Sequence, residues 1–428
     1  MSKDSIVIFS MWDTDYPAPM AHRLDKIIRS MQDAEMDVVL VSYFKTNLKK
    51  KNSFHHYSLQ SALPFLGKLV SVRTNSVNEQ TLSEKDKEKQ PFFAKLISAV
   101  SRSIVAPDIN IIIALPSSIL LMWAIVKHKL KYVYSLMNPA SFTFIGSLTG
   151  WLFRKKVFTD FGDLWYVIKE PRLNFKFEKK WHQWLERSTV QRSELVTYAY
   201  PEMADVFVKQ YPELIYKMRP LEGGYDGNFV KLDNVKKRDS EVLKIGYFGS
   251  LRMTEQYVTF LPFIESLSTL IKENSELRIR LKLVIAGNLS HEYRDKIVQL
   301  ELSDICEYVG YLNSGELEKK MEECDAFVVV TGAREIPFSY LVPQKLYMYM
   351  PYKKPVIYIG CEGKQTVRLK KIFPLLFSFS PEQKQDIKNF LLRLINDDIN
   401  AEADDKVLAS MDFRYQFKKA FQGNFPEI

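Results

Sequence analysis

LKIGYFGSLRMTEQ, residues 243–256, is the stretch whose reading decides the architecture. Apolar side chains run through Leu243–Phe248, Gly249-Ser250 breaks the run, and Phe260, Ile264, Leu267 and Ile271 then recur on one helical face. A strand that ends in glycine ahead of an amphipathic helix is the opening unit of a wound α/β domain. The same alternation continues downstream in LKLVIAG (281–287), CEYVGY (306–311), AFVVV (326–330) and PVIYI (355–359). Asn313, three residues before Glu316, predicts a capping box at the head of an intervening helix.

Upstream the pattern is the same. SIVIFS (5–10), DVVLVSY (37–43), INIIIA (109–114), KYVYSL (131–136), KKVFTD (155–160) and LVTYAY (195–200) read as strands. Between the first two, Leu24, Ile27, Ile28 and Met31 fall at i, i+3, i+4, i+7 and predict a helix. Between the two series lies EGGYDGNFVKLDNVKKRDSE (222–241), rich in glycine, turn residues and charge without periodicity. Residues 74–90 read as an exposed loop. The expected fold class is therefore α/β, with two Rossmann-like doubly wound parallel-sheet domains facing a cleft: 1–219, and 220–406, with 407–428 returning to the first. At 428 residues the chain is long enough for two cores.

One segment imitates a membrane span, since INIIIALPSSILLMWAIV (109–126) carries no charge. Pro116-Ser117-Ser118 divides it, so a buried strand followed by a packed helix is the preferred reading. PFFAKLISAVSRSIV (91–105) reads as an amphipathic helix that either packs on the core or rests on a membrane surface. The net charge of +9 is uneven. Residues 1–219 hold 31 Lys and Arg against 21 Asp and Glu, whereas the remainder holds 29 against 30. Clusters such as KTNLKKK (45–51), RKK (154–156) and KFEKKWHQW (176–184) attract phosphate-bearing surfaces or are simply solvated. The three scattered cysteines, Cys306, Cys324 and Cys361, fit a reducing compartment, and MSKDSIVIFSMW shows no leader pattern. Cytoplasmic residence follows as the expectation.

Absent motifs narrow the chemistry. No G-x-G-x-x-G follows a strand, no H-E-x-x-H occurs, and GCEGKQT (360–366) is too short for a phosphate loop. In open wound sheets ligands bind beyond the carboxyl ends of strands. Two places qualify in the second half: Gly249-Ser250-Leu251-Arg252, and VPQKLYMYM (342–350), where Pro343 opens a helix and Lys345 adds a positive charge. A diphosphate held between Arg252 and Lys345 would be neutralised from two sides. In FTDFGDLW, Asp160 and Asp163 end a strand and either serve an acceptor hydroxyl or hold a structural turn. Asp13-Thr14-Asp15 spells a metal-binding motif but stands in the wrong place, directly after the first strand.

The order of these pieces resembles the nucleotide-sugar glycosyltransferases of GT-B type, specifically the family-4-like enzymes that build bacterial surface polysaccharides. DYPAPMAHRLDKIIRSM (15–31) is similar to the first-domain loop and helix, NPASFTFIGSLTGWLFRKKVFTDFGDLW (138–165) to the segment leading into the cleft, and GGYD (223–226) to the interdomain turn. GSLR (249–252) resembles the donor-phosphate loop. VGYLNSGELEKKMEECDAFVVV (309–330) and VPQKLYMYMPYKKPVIYI (342–359) resemble the elements beside base and diphosphate.

The resemblance implies donor binding by Gly249, Ser250, Arg252, Tyr311, Gly332, Gln344 and Lys345, and an acceptor side at His22 and Arg23. It implies catalytic candidates Asp163, Asp160 and, from the TGAREIP loop, Glu335. The helix position where the family commonly carries a glutamate for the ribose hydroxyls reads Met348 here, and the position eight residues earlier, where many members carry another glutamate, reads Tyr340. The implied activity is retaining, metal-independent transfer from a UDP- or GDP-sugar to a lipid-linked or saccharide acceptor. No cofactor beyond the donor is expected. The implied location is cytoplasmic, peripheral on an anionic membrane face, without nucleic acid. The alternative is an inactive binder of the same fold. An epimerase of that fold would need a carboxylate and a histidine near the diphosphate, and the histidines lie mostly in the first half.

Overall fold

The computed structural model describes residues 4–14, 19–44, 54–62, 100, 103–170, 173–226, 241–251, 260–331 and 343–425. The chain divides into two compact units, Met1–Glu222 rejoined by Phe417–Ile428, and Gly223–Gln416.

The N-terminal unit is built on a seven-stranded parallel sheet in the order β3-β2-β1-β4-β5-β6-β7. Its strands are β1 (Ser5–Ser10), β2 (Asp37–Ser42), β3 (His55–Ser58), β4 (Tyr132–Leu136), β5 (Lys156–Phe161), β6 (Leu195–Tyr198) and β7 (Met218–Pro220). Helices α1 (Pro19–Asp33), α2 (Ile111–Lys127), α3 (Ala140–Leu152), α4 (Trp165–Lys169) and α5 (Lys176–Arg192) supply the main crossovers. The central strands are buried on both faces, which is why β1 and β2 read as unbroken apolar runs. In α1 the sequence-predicted stripe of Leu24, Ile27, Ile28 and Met31 is fully buried.

The C-terminal unit repeats the plan with six parallel strands in the order β10-β9-β8-β11-β12-β13. These are β8 (Leu243–Phe248), β9 (Leu281–Ala286), β10 (Cys306–Gly310), β11 (Ala326–Val330), β12 (Val356–Ile359) and β13 (Leu376–Phe379). Its helices include α6 (Leu261–Glu273), α7 (His291–Gln299), α8 (Ser314–Glu323), α9 (Gln344–Tyr349), α10 (Lys364–Ile372) and α11 (Lys384–Ile395). Asn313 and Glu316 exchange the capping-box bonds that their spacing predicts. Helix α12 (Phe413–Phe421) is the last described helix. Beyond its midpoint Phe421 and Phe425 pack on Tyr132, Tyr134 and Phe158 of the first sheet, whereas Leu408 and Met411 belong to the second unit's core.

In both sheets the order reverses beside the first strand: between β1 and β4, and between β8 and β11. Neighbouring crossovers leave in opposite directions there, opening a crevice at the strand carboxyl ends. The two switch points are therefore the places to look for ligands.

The sequence expectation fails at residues 109–114, which form no strand. Ile111–Lys127 is one helix with Pro116 inside it. Three consecutive isoleucines favour a strand locally, but packing overrides that preference. Ala114, Ser117, Ser118, Leu121, Ala124 and Ile125 fall on one face and lie against the sheet. Pro116 costs one helical bond, and Ile112, whose carbonyl forgoes it, stands on the exposed side. No described helix is long and apolar enough to cross a membrane.

Candidate functional site

At the switch point of the C-terminal sheet, the carboxyl end of β8 meets the start of α9. Lys345, mostly buried, projects from the first turn of α9, and its ammonium donates to the Tyr247 hydroxyl at 2.8 Å, 4.2 Å from that ring's centroid. The Tyr247 hydroxyl donates in turn to the carbonyl of Ser250 at 3.2 Å. The charge is thus held against the loop that leaves β8. Among the described residues this is the ammonium's one hydrogen bond, which leaves two donors for a ligand.

Gly249 makes this approach possible. Its φ of +146° is disfavoured for residues with side chains, and a Cβ there would land on the Lys345 ammonium. We expect Gly249→Ala to displace the lysine, weakening diphosphate binding about tenfold or more while lowering stability by about 1 kcal/mol. Isothermal titration alongside urea unfolding checks both.

Burial lowers the Lys345 pKa to about 8. A cation kept in that state is a preformed anion site. The neighbours add polar groups: at the ends of β11 and β12, Thr331 Oγ1 and Tyr358 OH are 2.9 Å apart. Gln344 packs on the GGYD turn, where a Cβ at Gly223 would stand 2.6 Å from its amide. Ser250 is exposed, and Tyr311 projects almost fully exposed past the edge strand β10.

Two details differ from the sequence reading. Pro343 is the residue before α9, which is only six residues long, so the helix supplies little dipole and the lysine carries the charge. Met348 packs partly buried against the core formed with Leu346 and Tyr347, leaving no acceptor at that position. Arg252, Gly332, Glu335 and Tyr340 lie outside the described residues, as do 74–90, KTNLKKK (45–51) and nearly all of PFFAKLISAVSRS (91–103).

At the switch point of the N-terminal sheet, Trp12 follows β1 and donates its indole N–H to the carbonyl of Asn138 after β4. Asn138, at φ +71°, donates its amide to Asp163 Oδ2 at 2.7 Å. Burial raises the Asp163 pKa, and the Asn138 bond opposes that rise. Asp163 remains partly exposed at the end of β5, so it combines access with a strengthened base. Glu186 of α5 fixes the following turn, accepting from Tyr166 N at 2.7 Å and from Tyr211 OH at 2.8 Å. Its own carboxyl is pushed up to about 7 by burial.

Asp160 has a different environment. It is fully buried and accepts from Arg23 Nε at 2.6 Å, Arg23 Nη2 at 2.7 Å and Thr197 Oγ1 at 2.6 Å. Arg23 also donates to the Leu221 carbonyl at 2.8 Å. Burial opposes the guanidinium charge, yet the carboxylate beside it holds Arg23 firmly protonated. The catalytic reading of Asp160 and the acceptor-side reading of Arg23 give way to a structural ion pair, because each occupies the other. His22, next on α1, is exposed. Asp13 is buried in the loop after β1. Among the described residues, no three His, Cys, Asp or Glu side chains converge as metal ligands would.

No family model matches the chain, and no curated protein matches its sequence. Its fold, however, matches solved structures end to end. A glycosyltransferase from Rickettsia africae aligns over 99% of this chain and 100% of its own, with a TM-score of 0.60 at 13% identity. The chain has the GT-B fold. HepE of Anabaena, solved with UDP-glucose, shares that GT-B architecture over 98% of this chain and 94% of its own, with a TM-score of 0.53 at 13% identity. The GT-B fold is also that of a putative UDP-N-acetylglucosamine 2-epimerase from Listeria monocytogenes, which covers 98% of this chain and 91% of its own, at TM-score 0.51 and 8% identity. At such identities the likeness establishes architecture, and the site has to carry the chemistry.

Tyr247, Asn138 and Glu186 are the site residues that the sequence reading passed over. Tyr247 looks like an ordinary core aromatic in an alternating strand. Asn138, by contrast, precedes a proline directly after a strand, and that signal was available.

Proposed function

We propose that the protein is a glycosyltransferase whose C-terminal unit binds a nucleotide sugar and whose N-terminal unit binds the acceptor. The observation that carries this reading is the buried ammonium of Lys345 beside the Gly249 backbone, at the switch point of the second sheet. A pyrophosphate placed there gains a charge-assisted contact already desolvated, and stabilising that group stabilises its departure from the sugar. The donor is a UDP- or GDP-sugar, a choice supported by the UDP-glucose bound to the GT-B protein HepE. We assign the transfer as retaining and metal-independent, with a lipid-linked or saccharide acceptor in surface polysaccharide synthesis, at the cytoplasmic face of a membrane.

Asp163, raised in pKa and oriented by Asn138, is the group we assign to the acceptor hydroxyl. Asp163→Asn is expected to lower transfer by about a hundredfold or more with nucleoside diphosphate affinity unchanged. Full activity in that variant would remove Asp163 from the mechanism. Assays with UDP-, GDP- and ADP-sugars, preceded by thermal shifts with the corresponding diphosphates, test the reading as a whole.

A second reading has its own support. Met348 offers no acceptor to a ribose hydroxyl, which favours a GT-B protein that binds a nucleotide without turning it over. Diphosphate affinity with no hydrolysis or transfer across the panel would establish it.

A further inference from the structure

The outer edge of the C-terminal sheet is open. Strand β13 pairs with β12 on one side, and no described strand lies on the other. The carbonyls of Leu375 and Phe379 accept from Val356 N at 2.8 Å and from Gly360 N at 3.0 Å, so these positions turn their backbone toward β12. Alternation along a strand then sends the backbone groups of Leu376 and Ser378 outward. Leu376 N–H closes a turn onto the Phe373 carbonyl at 3.0 Å, which leaves the Leu376 carbonyl and both backbone groups of Ser378 on the open edge. The strand, LFSF, carries neither proline nor charge, two of the means by which such edges are blocked.

A groove of about 500 Å³ runs beside this edge, between β13 and α11. Its floor is aromatic: the Phe390 ring of α11 lies 4.4 Å from that of Phe377 and 5.5 Å from that of Phe379, and both strand rings are half-buried. Its wall is the row Asp386, Asn389 and Arg393, which share one face of α11 at i, i+3 and i+7 and are all exposed. Asp386 accepts from Gln383 at 3.0 Å, and Arg393 donates to the Asp398 carbonyl at 3.2 Å; each keeps capacity for a further partner. The row therefore reads acid, amide, base, and its midpoint lies beside Phe390. Because Phe390 touches both Phe377 and Phe379, that midpoint stands level with Ser378, the centre of the open backbone.

We propose that a second copy of the chain docks here, the two β13 strands pairing antiparallel about a two-fold axis through Ser378. The Ser378 N–H and carbonyl bond their counterparts in both directions, and Phe377 comes opposite Phe379 of the second copy. The same axis lays the two α11 helices side by side and antiparallel, so that Asp386 of each copy faces Arg393 of the other. Charge complementarity selects this occupant. The row carries opposite signs at its two ends and is complementary to itself when reversed, as an isologous contact requires. A peptide of one sign would meet repulsion at one end of it. The inference goes beyond the proposed transfer and does not depend on it, since β11 and β12 stand between this edge and β8.

The test is sedimentation velocity of the full chain over rising concentration, where a monomer–dimer equilibrium is expected. Asp386→Arg sets arginine against arginine across the axis, and Arg393→Asp sets aspartate against aspartate. Each variant alone should weaken the dimer about tenfold or more. An equimolar mixture of the two should recover it, because every facing pair in the mixed species is again of opposite sign. Ser378→Pro removes the outward N–H while sparing the β12 ladder, and should weaken the dimer to a similar degree. Both charged positions are exposed, so circular dichroism should show their variants folded. A chain that stays monomeric at the highest concentration reached would overturn the proposal. So would a dimer indifferent to both charge reversals, a pair of weakened variants that does not recover on mixing, or a dimer that folded Ser378→Pro leaves intact.

Discussion

Raising the pH from 7 to 10 is expected to weaken nucleoside diphosphate binding by up to about a hundredfold. Lys345 sets this dependence. In the empty protein burial holds its pKa at about 8, so the ammonium is intact at neutral pH and is lost above that value. A bound diphosphate supplies a counter-charge and raises the pKa again. Affinity should therefore be flat below pH 8, then fall by about one logarithmic unit per pH unit, because binding has to take up a proton. The ligand does not imitate this, since a terminal phosphate completes its ionisation near pH 6. Titration calorimetry in buffers of different ionisation enthalpy should show proton uptake rising through pH 8. Lys345→Met should bind at pH 7 as weakly as the unaltered protein does at high pH, and with no pH dependence. A parallel decline in that variant would place the titrating group elsewhere.

Stability should move the opposite way. A lysine whose folded pKa lies below its unfolded value near 10.4 binds fewer protons when folded, so its contribution to stability rises with pH between about 8 and 10.4. The apo protein gains over the window in which the ligand loses its hold. The thermal shift produced by a diphosphate should accordingly shrink because the apo protein rises toward the complex, a signature that general alkaline denaturation would not give.

The fold was legible where local chemistry and packing agree. Strands buried on both faces carry unbroken apolar runs, as in Ser5–Ser10 and Ala326–Val330, and their alternation with helices implies the parallel order. Short edge strands such as β3 and β7 bury too little to leave such a run. Helix α2 misled because large apolar residues occupy its outer side as well as its inner one, where Ile113, Leu121 and Ile125 alternate with alanine and serine, so no polar face marks the helical period. At the candidate site, Lys345 and Gly249 were legible as a cation and a glycine at strand ends. Tyr247, which orients the lysine, was not, since burial looks the same whether or not a hydroxyl has a partner.

Asp160→Ala is expected to destabilise the N-terminal unit by about 3–5 kcal/mol, the largest stability loss among the substitutions considered. Arg23 and Asp160 are separated by 137 positions, and nothing in either local sequence links them. Folding brings them together in a dry interior, joined by two hydrogen bonds, with Thr197 also donating to Asp160 and Arg23 to the Leu221 carbonyl. Removing the carboxylate leaves the guanidinium buried without its charge partner, and that penalty, more than the lost attraction, sets the magnitude. Arg23→Met should cost a similar amount for the converse reason. The double variant Arg23→Met/Asp160→Ala should recover part of the loss, since it leaves no uncompensated charge. Urea unfolding monitored by tryptophan fluorescence reads all three. The cycle also separates structure from catalysis: if Asp160 serves only the ion pair, residual transfer by its variants should follow their folded fraction, whereas Asp163→Asn should lose transfer while remaining folded.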